Sequence, residues 1–242
     1  MQEKIKEFLV FKMNSCYILP MKKRGLFLGP KETAEAFSLR VNLLTPRFNP
    51  ILDSAKEYFH SLFHATPDWI PLVIDKRGLS FSEAAATWIE EEADKPRTCY
   101  IQIKHLKTPF LYSQEEILAH EMVHATRLMF DEPRFEEILA YQTSKARWRR
   151  YFGPLFRSSK ESALFMGLCT LSWIGSMLDR FFFLLPGVYL FALLVRLIRS
   201  QRLFAQALSH LQKTLKDPKE ALGVLLRLSD KEIEKCAKDS SD

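Results

Sequence analysis

Cysteine is scarce in this sequence and is never paired along the chain. The four cysteines stand far apart, with no Cys-x-x-Cys pair among them: Cys16, Cys99, Cys169 and Cys236. A disulfide framework or a thiolate zinc knuckle requires closely spaced or paired cysteines, so neither is expected. We predict that these thiols are reduced.

The sequence also has no secretory leader that we recognise and no internal repeat. The apolar run at residues 8–11 lies among charged residues and is far shorter than the apolar core of a signal peptide. No repeat or low-complexity tract follows it. We therefore expect the part of the chain that carries the chemistry described below to lie in the cytoplasm.

The charge distribution disfavours a nucleic-acid partner, although the net charge is +6. The basic residues form short, dispersed clusters at residues 22–24, 145–150 and 196–202, and the last two flank the most apolar stretch of the chain. A nucleic-acid groove needs a continuous basic surface, whereas basic clusters beside an apolar segment suit anionic lipid headgroups. The charge pattern thus favours a membrane partner.

The first hundred residues have an α+β pattern. Residues 31–66 have helical composition with an interruption near Pro46 and Pro50, and residues 69–75 and 99–103 are short apolar or alternating runs typical of strands. Between these strands, Ser80 stands three residues before Glu83, which is the spacing of a capping box. We predict a helix at residues 80–92, with a strand as the alternative.

From residue 113 onward the pattern is helical. Helices are predicted at residues 113–130 and 134–151, followed by two apolar segments between residues 162 and 198 and an amphipathic tail. The chain is long enough for one substantial core with an appended element.

A metal-binding motif lies in the first of these helices, at residues 120–124. His120 and His124 are four residues apart, so both imidazoles lie on one face and can bind one ion. Glu121 lies about 60° around the helix from His124 and can reach a water on that ion without being a ligand. These positions predict two ligands and a general base.

The helix itself is well specified by the surrounding sequence. Ser113 and Glu116 have capping-box spacing, and no proline or glycine interrupts residues 113–130. An apolar stripe runs beside the histidines: Leu118, Met122, Ala125 and Met129.

A third ligand is predicted from the helix that follows. Residues 131–134 form a short turn, and two helices joined this tightly run antiparallel. Glu137 lies about as far beyond the turn as His124 lies before it, so its carboxylate can face the imidazoles. Glu136 is a competing neighbour. Two histidines and one glutamate leave the fourth position of zinc open, as in catalytic sites.

His-Glu-x-x-His followed by Glu137-Ile138-Leu139-Ala140-Tyr141 resembles the gluzincins, the class that includes thermolysin-like and aminopeptidase-like enzymes and minigluzincins. The resemblance covers about thirty residues, and the twelve residues between His124 and Glu137 are fewer than in the thermolysin-like pattern. It implies a zinc-dependent metallopeptidase with Glu137 as third ligand and Glu121 as base. It also implies an upstream edge strand that binds extended substrate, which residues 99–103 would supply.

The predicted chemistry is hydrolysis of a peptide or protein substrate by activated water. A zinc ion lowers the pKa of water to ~7, and Glu121 would take the proton and pass it to the leaving amine. Tyr141 lies one turn beyond Glu137 and could donate to the tetrahedral intermediate or hold a ligand in place. Its alternative role is packing between two helices.

Three other interpretations remain open at this stage. The histidine pair could be accidental on a solvated helical hairpin, the chain could be a non-enzymatic membrane-anchored interaction protein, or the open zinc could act on another carbonyl substrate. A second pair, His60 and His64, has the same spacing but no intervening carboxylate and no third ligand nearby. We predict that it does not bind metal.

The two apolar segments, residues 162–178 and 181–198, predict a helical hairpin. Each reaches about 25 Å at ~1.5 Å per residue, slightly less than a ~30 Å hydrocarbon core, so a shallow or re-entrant hairpin fits as well as a spanning one. Basic residues on both outer flanks place both ends in the cytoplasm. A pair buried in a soluble cytoplasmic protein is the alternative.

The predicted organisation has three parts. Residues 1–160 form a mostly helical, zincin-like metallopeptidase domain of the α+β class with a small sheet, and residues 161–199 form the apolar hairpin. Residues 200–242 form an amphipathic tail with a stripe at Leu203, Ala207, Leu211 and Leu215, and this tail is expected to pack on the domain.

Overall fold

The protein is described by a computed structural model that covers residues 18–44, 51–80, 83–92, 96–105, 112–177 and 179–239. The interruption predicted near Pro46 and Pro50, the apolar run at residues 8–11, and Cys16 lie outside the described residues. The described part is mostly helical with one small sheet, which confirms the α+β class.

The described helices and strands follow one another in this order: α1 (Ile18–Lys23), α2 (Ala34–Leu44), α3 (Asp53–Phe63), β1 (Leu72–Ile74), β2 (Ala85–Glu90), β3 (Thr98–Ile103), α4 (Gln114–Thr126), α5 (Pro133–Tyr141), α6 (Arg147–Phe152), α7 (Ser159–Gly175), α8 (Leu184–Thr214), α9 (Ala221–Leu226) and α10 (Asp230–Lys238).

The sheet has the order β1-β3-β2, with β1 parallel and β2 antiparallel to the central strand β3. Strands predicted at residues 69–75 and 99–103 are confirmed. The resemblance implied that residues 99–103 form the edge strand beside the site, and this is wrong because β3 is paired on both sides. The edge strand near the site is β2, which contacts α4.

The helix predicted at residues 80–92 is also wrong, since residues 85–90 form β2. Glu83 does accept a hydrogen bond from the Ser80 backbone N–H (2.8 Å), but this contact closes only a local turn. The following Thr87, Trp88 and Ile89 are residue types that favour strands. Pairing of all six residues with β3 outweighs the helix propensity of the alanines.

Helix α4 begins as its sequence predicts. The Ser113 side chain accepts from the backbone N–H of Glu116, and the Glu116 carboxylate accepts from the backbone N–H of Ser113, which completes the capping box. The predicted stripe faces the core: Leu118, Met122 and Ala125 are buried, and Met129 is half-buried against it.

The helix predicted at residues 134–151 is two helices, α5 and α6, separated by residues 142–146. Thr143 and Ser144 in this connection are buried. The Thr143 hydroxyl donates to the Ala140 carbonyl (2.6 Å), which is local competition for a backbone group that a continuing helix would use. Burial of these two residues against the start of α4 is a tertiary effect that periodicity does not reveal.

The tail packs on the domain, as predicted. Ala207, Leu211, Leu225 and Ile233 belong to the same buried core as helices α4 and α5, with Leu203 and Leu215 half-buried against it. The guanidinium of Arg127, at the end of α4, is buried and donates to the carbonyls of Leu226 and Leu228 (3.1 and 2.9 Å). These bonds tie the C-terminal segment to the helix that carries the histidines.

The two predicted apolar segments form an antiparallel pair: α7, and the first half of α8 up to residue 198. We call this pair the apolar hairpin. Its helices contact each other, for example through the stacked rings of Phe165 and Tyr189. Most of its remaining apolar surface is exposed, including Leu164, Met166, Trp173, Val188 and Phe191. It is therefore not a pair enclosed in the core.

Candidate metal centre

The two histidines of α4 present their Nε2 atoms to the same point. His120 Nε2 and His124 Nε2 are 3.3 Å apart. Two ligands of a tetrahedral zinc ion, at ~2.0–2.1 Å from the metal, are about 3.3 Å apart. The separation of the two nitrogen atoms therefore fits a shared ion without rearrangement of the helix.

Glu137 brings a carboxylate to that point from the antiparallel helix α5. Its Oε1 is 3.6 Å from His124 Nε2, and its Oε2 is 3.9 Å from His120 Nε2. Candidate ligand atoms of His120, His124 and Glu137 all lie within 4.8 Å of one another, and no other such group of three occurs among the described residues. The donor set, two imidazoles and one carboxylate, suits zinc and leaves one position open.

The imidazole of His124 is held by its other ring nitrogen, because Nδ1 donates to Glu136 Oε1 at 2.7 Å. Such partners fix the orientation of metal-binding histidines and raise their basicity. Glu136 therefore does not occupy the position of a third ligand. It contacts Nδ1 of His124, whereas the Glu137 carboxylate lies near the Nε2 atoms of both histidines.

The electrostatics of the two imidazoles differ. Burial and the neighbouring His124 lower the pKa of His120 to about 3. Burial also opposes charge on His124, but its hydrogen bond to Glu136 and the charge of Glu137 outweigh that effect and raise its pKa to about 10. His124 is thus an imidazolium near pH 7, and a metal must displace the proton on its Nε2.

Glu121 lies beside the ligands and has a partner on the sheet. The Thr87 hydroxyl is 2.8 Å from Glu121 Oε2 and 3.0 Å from the Glu121 carbonyl oxygen, so it can donate to either. Burial raises the pKa of the Glu121 carboxyl, whereas the charge of His124 and the Thr87 hydrogen bond oppose the rise. A higher pKa brings the carboxylate closer to the range in which a general base works.

Tyr141 contacts His120 edge to face, with the ring centroids 4.8 Å apart. Burial and the charge of Glu137 raise the pKa of Tyr141 to about 12, so the phenol keeps its proton and can donate. The Tyr141 ring also lies against Gly153, where an added Cβ would come within 2.3 Å of two ring atoms. Only glycine allows this close approach.

A cleft runs between β2 and α4, with the histidines at its centre. One part, of about 200 Å³, is lined by Ala85, Ile117 and Tyr141. The other, of about 340 Å³, is lined by Thr87, Glu137 and Arg127 among others. His120 and Glu121 line both parts. A substrate in the cleft could therefore extend to either side of these two residues.

The second histidine pair is not built in the same way. His60 is in α3, but His64 follows the last residue of that helix in a left-handed conformation (φ 51°). Their ring centroids are 5.9 Å apart, and no third ligand joins them among the described residues. That this pair does not bind metal stays a prediction.

Two residues near the site escaped prediction, for different reasons. Thr87 was missed because residues 80–92 were assigned to a helix, although the run Thr87-Trp88-Ile89 already favoured a strand. Glu136 is predicted only as a competing ligand. Neighbouring residues of α5 point in directions about 100° apart, and this angle decides which carboxylate faces the histidine Nε2 atoms.

No protein-family model, curated protein or solved structure matches this chain.

Proposed function

We propose that this protein is a zinc-dependent, gluzincin-type metallopeptidase with a zincin-like catalytic domain, held at the cytoplasmic face of a membrane. The observation that carries the proposal is the convergence of His120, His124 and Glu137, with 3.3 Å between the histidine Nε2 atoms. Support comes from the hydrogen bond of His124 Nδ1 to Glu136, which an accidental histidine pair would not require.

The roles of the surrounding side chains follow from their positions. A zinc ion bound by these ligands would polarise a substrate carbonyl and lower the pKa of water to ~7. Glu121 accepts the proton of the attacking water and donates it to the leaving amine. Thr87 holds the Glu121 carboxylate in place (2.8 Å). Tyr141 keeps its proton and donates to the developing oxyanion.

A peptide substrate is favoured over other carbonyl compounds by the strand that borders the cleft. Among the described strands, β2 pairs with β3 alone, so its other edge can accept an extended chain. A peptide can add to such an edge through main-chain hydrogen bonds, which give affinity without a particular side chain. Thr87 and Ala85 of this strand line the cleft next to His120 and Glu121.

The membrane location is supported by the apolar hairpin. The helical stretch Phe181–Thr214 is long and apolar enough to cross a membrane, and only 11% of its most apolar window is buried. Exposed apolar surface of this extent is unfavourable in water and favourable in lipid. Exposed basic residues at both ends of the hairpin, including Lys160 and Arg199, would lie at the cytoplasmic headgroups.

Replacement of Glu121 by Gln tests the proposed reaction. The amide has the size of the carboxylate but cannot accept the proton, so we expect peptide hydrolysis to fall about 10²–10⁴-fold while zinc remains bound. Glu115→Gln, an isosteric change on the same helix and outside the cleft, is the matched control. Full hydrolysis by the Glu121→Gln protein would refute the role of this residue as base.

A further inference from the structure

The short helix α6 presents an aromatic face that no other described part of the protein covers. Trp148, Tyr151 and Phe152 are 63%, 64% and 57% exposed. Their spacing, i, i+3 and i+4, places all three on one side of the helix. Aromatic side chains at this density on a surface mark a site that contacts a partner.

The inward side of α6 is polar and contacts the catalytic unit. Arg149 is buried, its guanidinium lies 4.2 Å from the ring centroid of Tyr112, and its Nη2 is 3.5 Å from Glu116 Oε2. Tyr112 and Glu116 both line the smaller part of the cleft. Directly after α6, Gly153 supports the ring of Tyr141. The helix is therefore fixed behind the cleft, with its aromatic face turned outward.

Contacts with α8 fix the position of α6 along the length of the apolar hairpin. The Gln201 side-chain amide donates to the carbonyls of Arg150 (3.1 Å) and Tyr151 (3.3 Å). Gln201 lies where the character of α8 changes, because Ile198 is the last large exposed apolar residue of this helix and Arg199 and Arg202 are exposed and basic. In a membrane-inserted hairpin this is the level at which hydrocarbon gives way to headgroups.

The charge around α6 fits an anionic partner at that level. Arg147 is exposed in the first turn of the helix, and Lys145 is exposed two residues before it. Lys145 Nζ also contacts Ser113 Oγ (3.3 Å), and its charge acts on the Glu115 carboxyl, so Arg147 supplies the larger part of the attraction to an anionic partner. Tryptophan and tyrosine together with basic side chains are the residues enriched at the membrane–water interface.

We propose that α6 is a second membrane contact, in which Trp148, Tyr151 and Phe152 enter the interfacial layer of a bilayer and Lys145 and Arg147 bind anionic headgroups. The inference rests on the proposed membrane anchoring by the apolar hairpin. It adds that the cleft itself is held at the lipid surface, through Arg149 and Gly153. Substrates would then be polypeptide segments at or near that surface.

Tryptophan quenching by brominated lipid tests this contact residue by residue. The full chain carrying Glu121→Gln is reconstituted in mixed phosphatidylcholine and phosphatidylglycerol vesicles with bromine at shallow acyl-chain positions. Three proteins each keep one informative tryptophan, at 148, 173 or 88, with the other two changed to Phe. The buried Trp69 is retained in all three as a constant background. We expect loss of emission for Trp148 and Trp173 and none for Trp88.

The outcomes separate this inference from the proposal beneath it. Quenching of Trp173 without quenching of Trp148 would overturn the α6 contact and leave the hairpin in the bilayer. Absence of quenching at both positions would overturn the α6 contact and the membrane anchoring together. Neither result depends on catalysis, so failure of the peptidase proposal is a separate finding.

The charged part of the inference has its own variant. Lys145→Gln combined with Arg147→Gln should reduce the quenching of Trp148 and leave that of Trp173 unchanged. The control, Lys216→Gln with Lys219→Gln, removes the same charge from exposed positions beyond the far end of α8. Equal quenching of Trp148 in the Lys145/Arg147 variant and in the control would overturn headgroup binding by these residues.

Discussion

The candidate metal centre and the apolar hairpin differ in whether the rest of the described chain supplies partners for their side chains. At the centre, buried polar groups have partners within the chain: His124 has Glu136 and Glu121 has Thr87. In the hairpin, large apolar groups such as Trp173 and Phe191 have no cover within the described chain. The polar groups of the candidate metal centre are therefore satisfied internally, whereas the described part of the chain leaves the apolar side chains of the hairpin uncovered.

The largest effect should come from making the hairpin polar. We expect replacement of Leu164, Met166, Trp173, Val188 and Phe191 by Gln to abolish membrane association, because each loses about 1.5–3 kcal/mol of transfer free energy into an apolar environment. Fractionation with and without detergent measures this change. Zinc content should be unaffected, because none of these five residues lines the cleft around the candidate ligands.

The control for this change lies on α2, where Leu39 and Leu43 are also exposed. Their replacement by Gln should leave the membrane fraction unchanged. If the hairpin variant still requires detergent, or if the parent protein is soluble without it, the exposed apolar surface of the hairpin does not anchor the protein in a membrane.

A smaller effect is expected when one internal partner is removed at the metal centre. Glu136→Gln keeps a hydrogen-bond acceptor for His124 but removes its charge, so zinc affinity should fall about 10–100-fold. Competition with a chelator measures the affinity, and Glu115→Gln serves again as the control. Complete loss of zinc with Glu136→Gln, but not with Glu137→Gln, would instead make Glu136 the third ligand.

Two glycines test the difference in packing directly. An added Cβ at Gly153 would collide with the Tyr141 ring, whereas one at Gly167 in α7 meets nothing within 4 Å. We expect Gly153→Ala to cost about 1–3 kcal/mol of unfolding free energy and to reduce turnover with zinc retained. Gly167→Ala should leave turnover unchanged and raise the unfolding free energy by up to about 1 kcal/mol, because alanine has the higher helix propensity. Equal effects of the two substitutions on turnover would remove Tyr141 from the reaction.

The smallest expected effect is the release of one proton when zinc binds. The pKa of His124 is raised to about 10 and that of His120 is lowered to about 3, so near neutral pH only His124 is an imidazolium, and its Nε2 carries one proton that a bound metal must replace. Zinc displaces it, and affinity should rise about tenfold per pH unit between roughly pH 6 and 9. Calorimetry in buffers of different ionisation enthalpy measures the released proton. A pH-independent affinity would contradict this assignment.

The same contrast explains what the sequence could and could not predict. Ser113 and Glu116 predict the start of α4 because a capping box is a local interaction, and His120 and His124 converge because helical spacing is local too. Ser80 and Glu83 have the same spacing but precede a strand. There the pairing of β2 with β3, which depends on residues far along the chain, decides the outcome.

Other parts of the site depend on distant contacts as well. Thr87 reaches Glu121 only because β2 lies at the sheet edge, and the break between α5 and α6 follows from burial of Thr143 and Ser144 against α4. Neither feature has a periodic signature. The two apolar runs predict the hairpin. The sequence does not predict that its side chains are exposed, because their exposure depends on how the rest of the chain packs.

The central claim is that His120, His124 and Glu137 bind one zinc ion. Elemental analysis of the purified protein, compared with His120→Ala and Glu137→Ala, tests it directly, and His60→Ala controls for the other histidine pair. We expect about one zinc per chain in the parent protein and in His60→Ala, and loss of zinc in the other two. Absence of zinc from the parent protein after reconstitution, or its retention in Glu137→Ala, would contradict the claim.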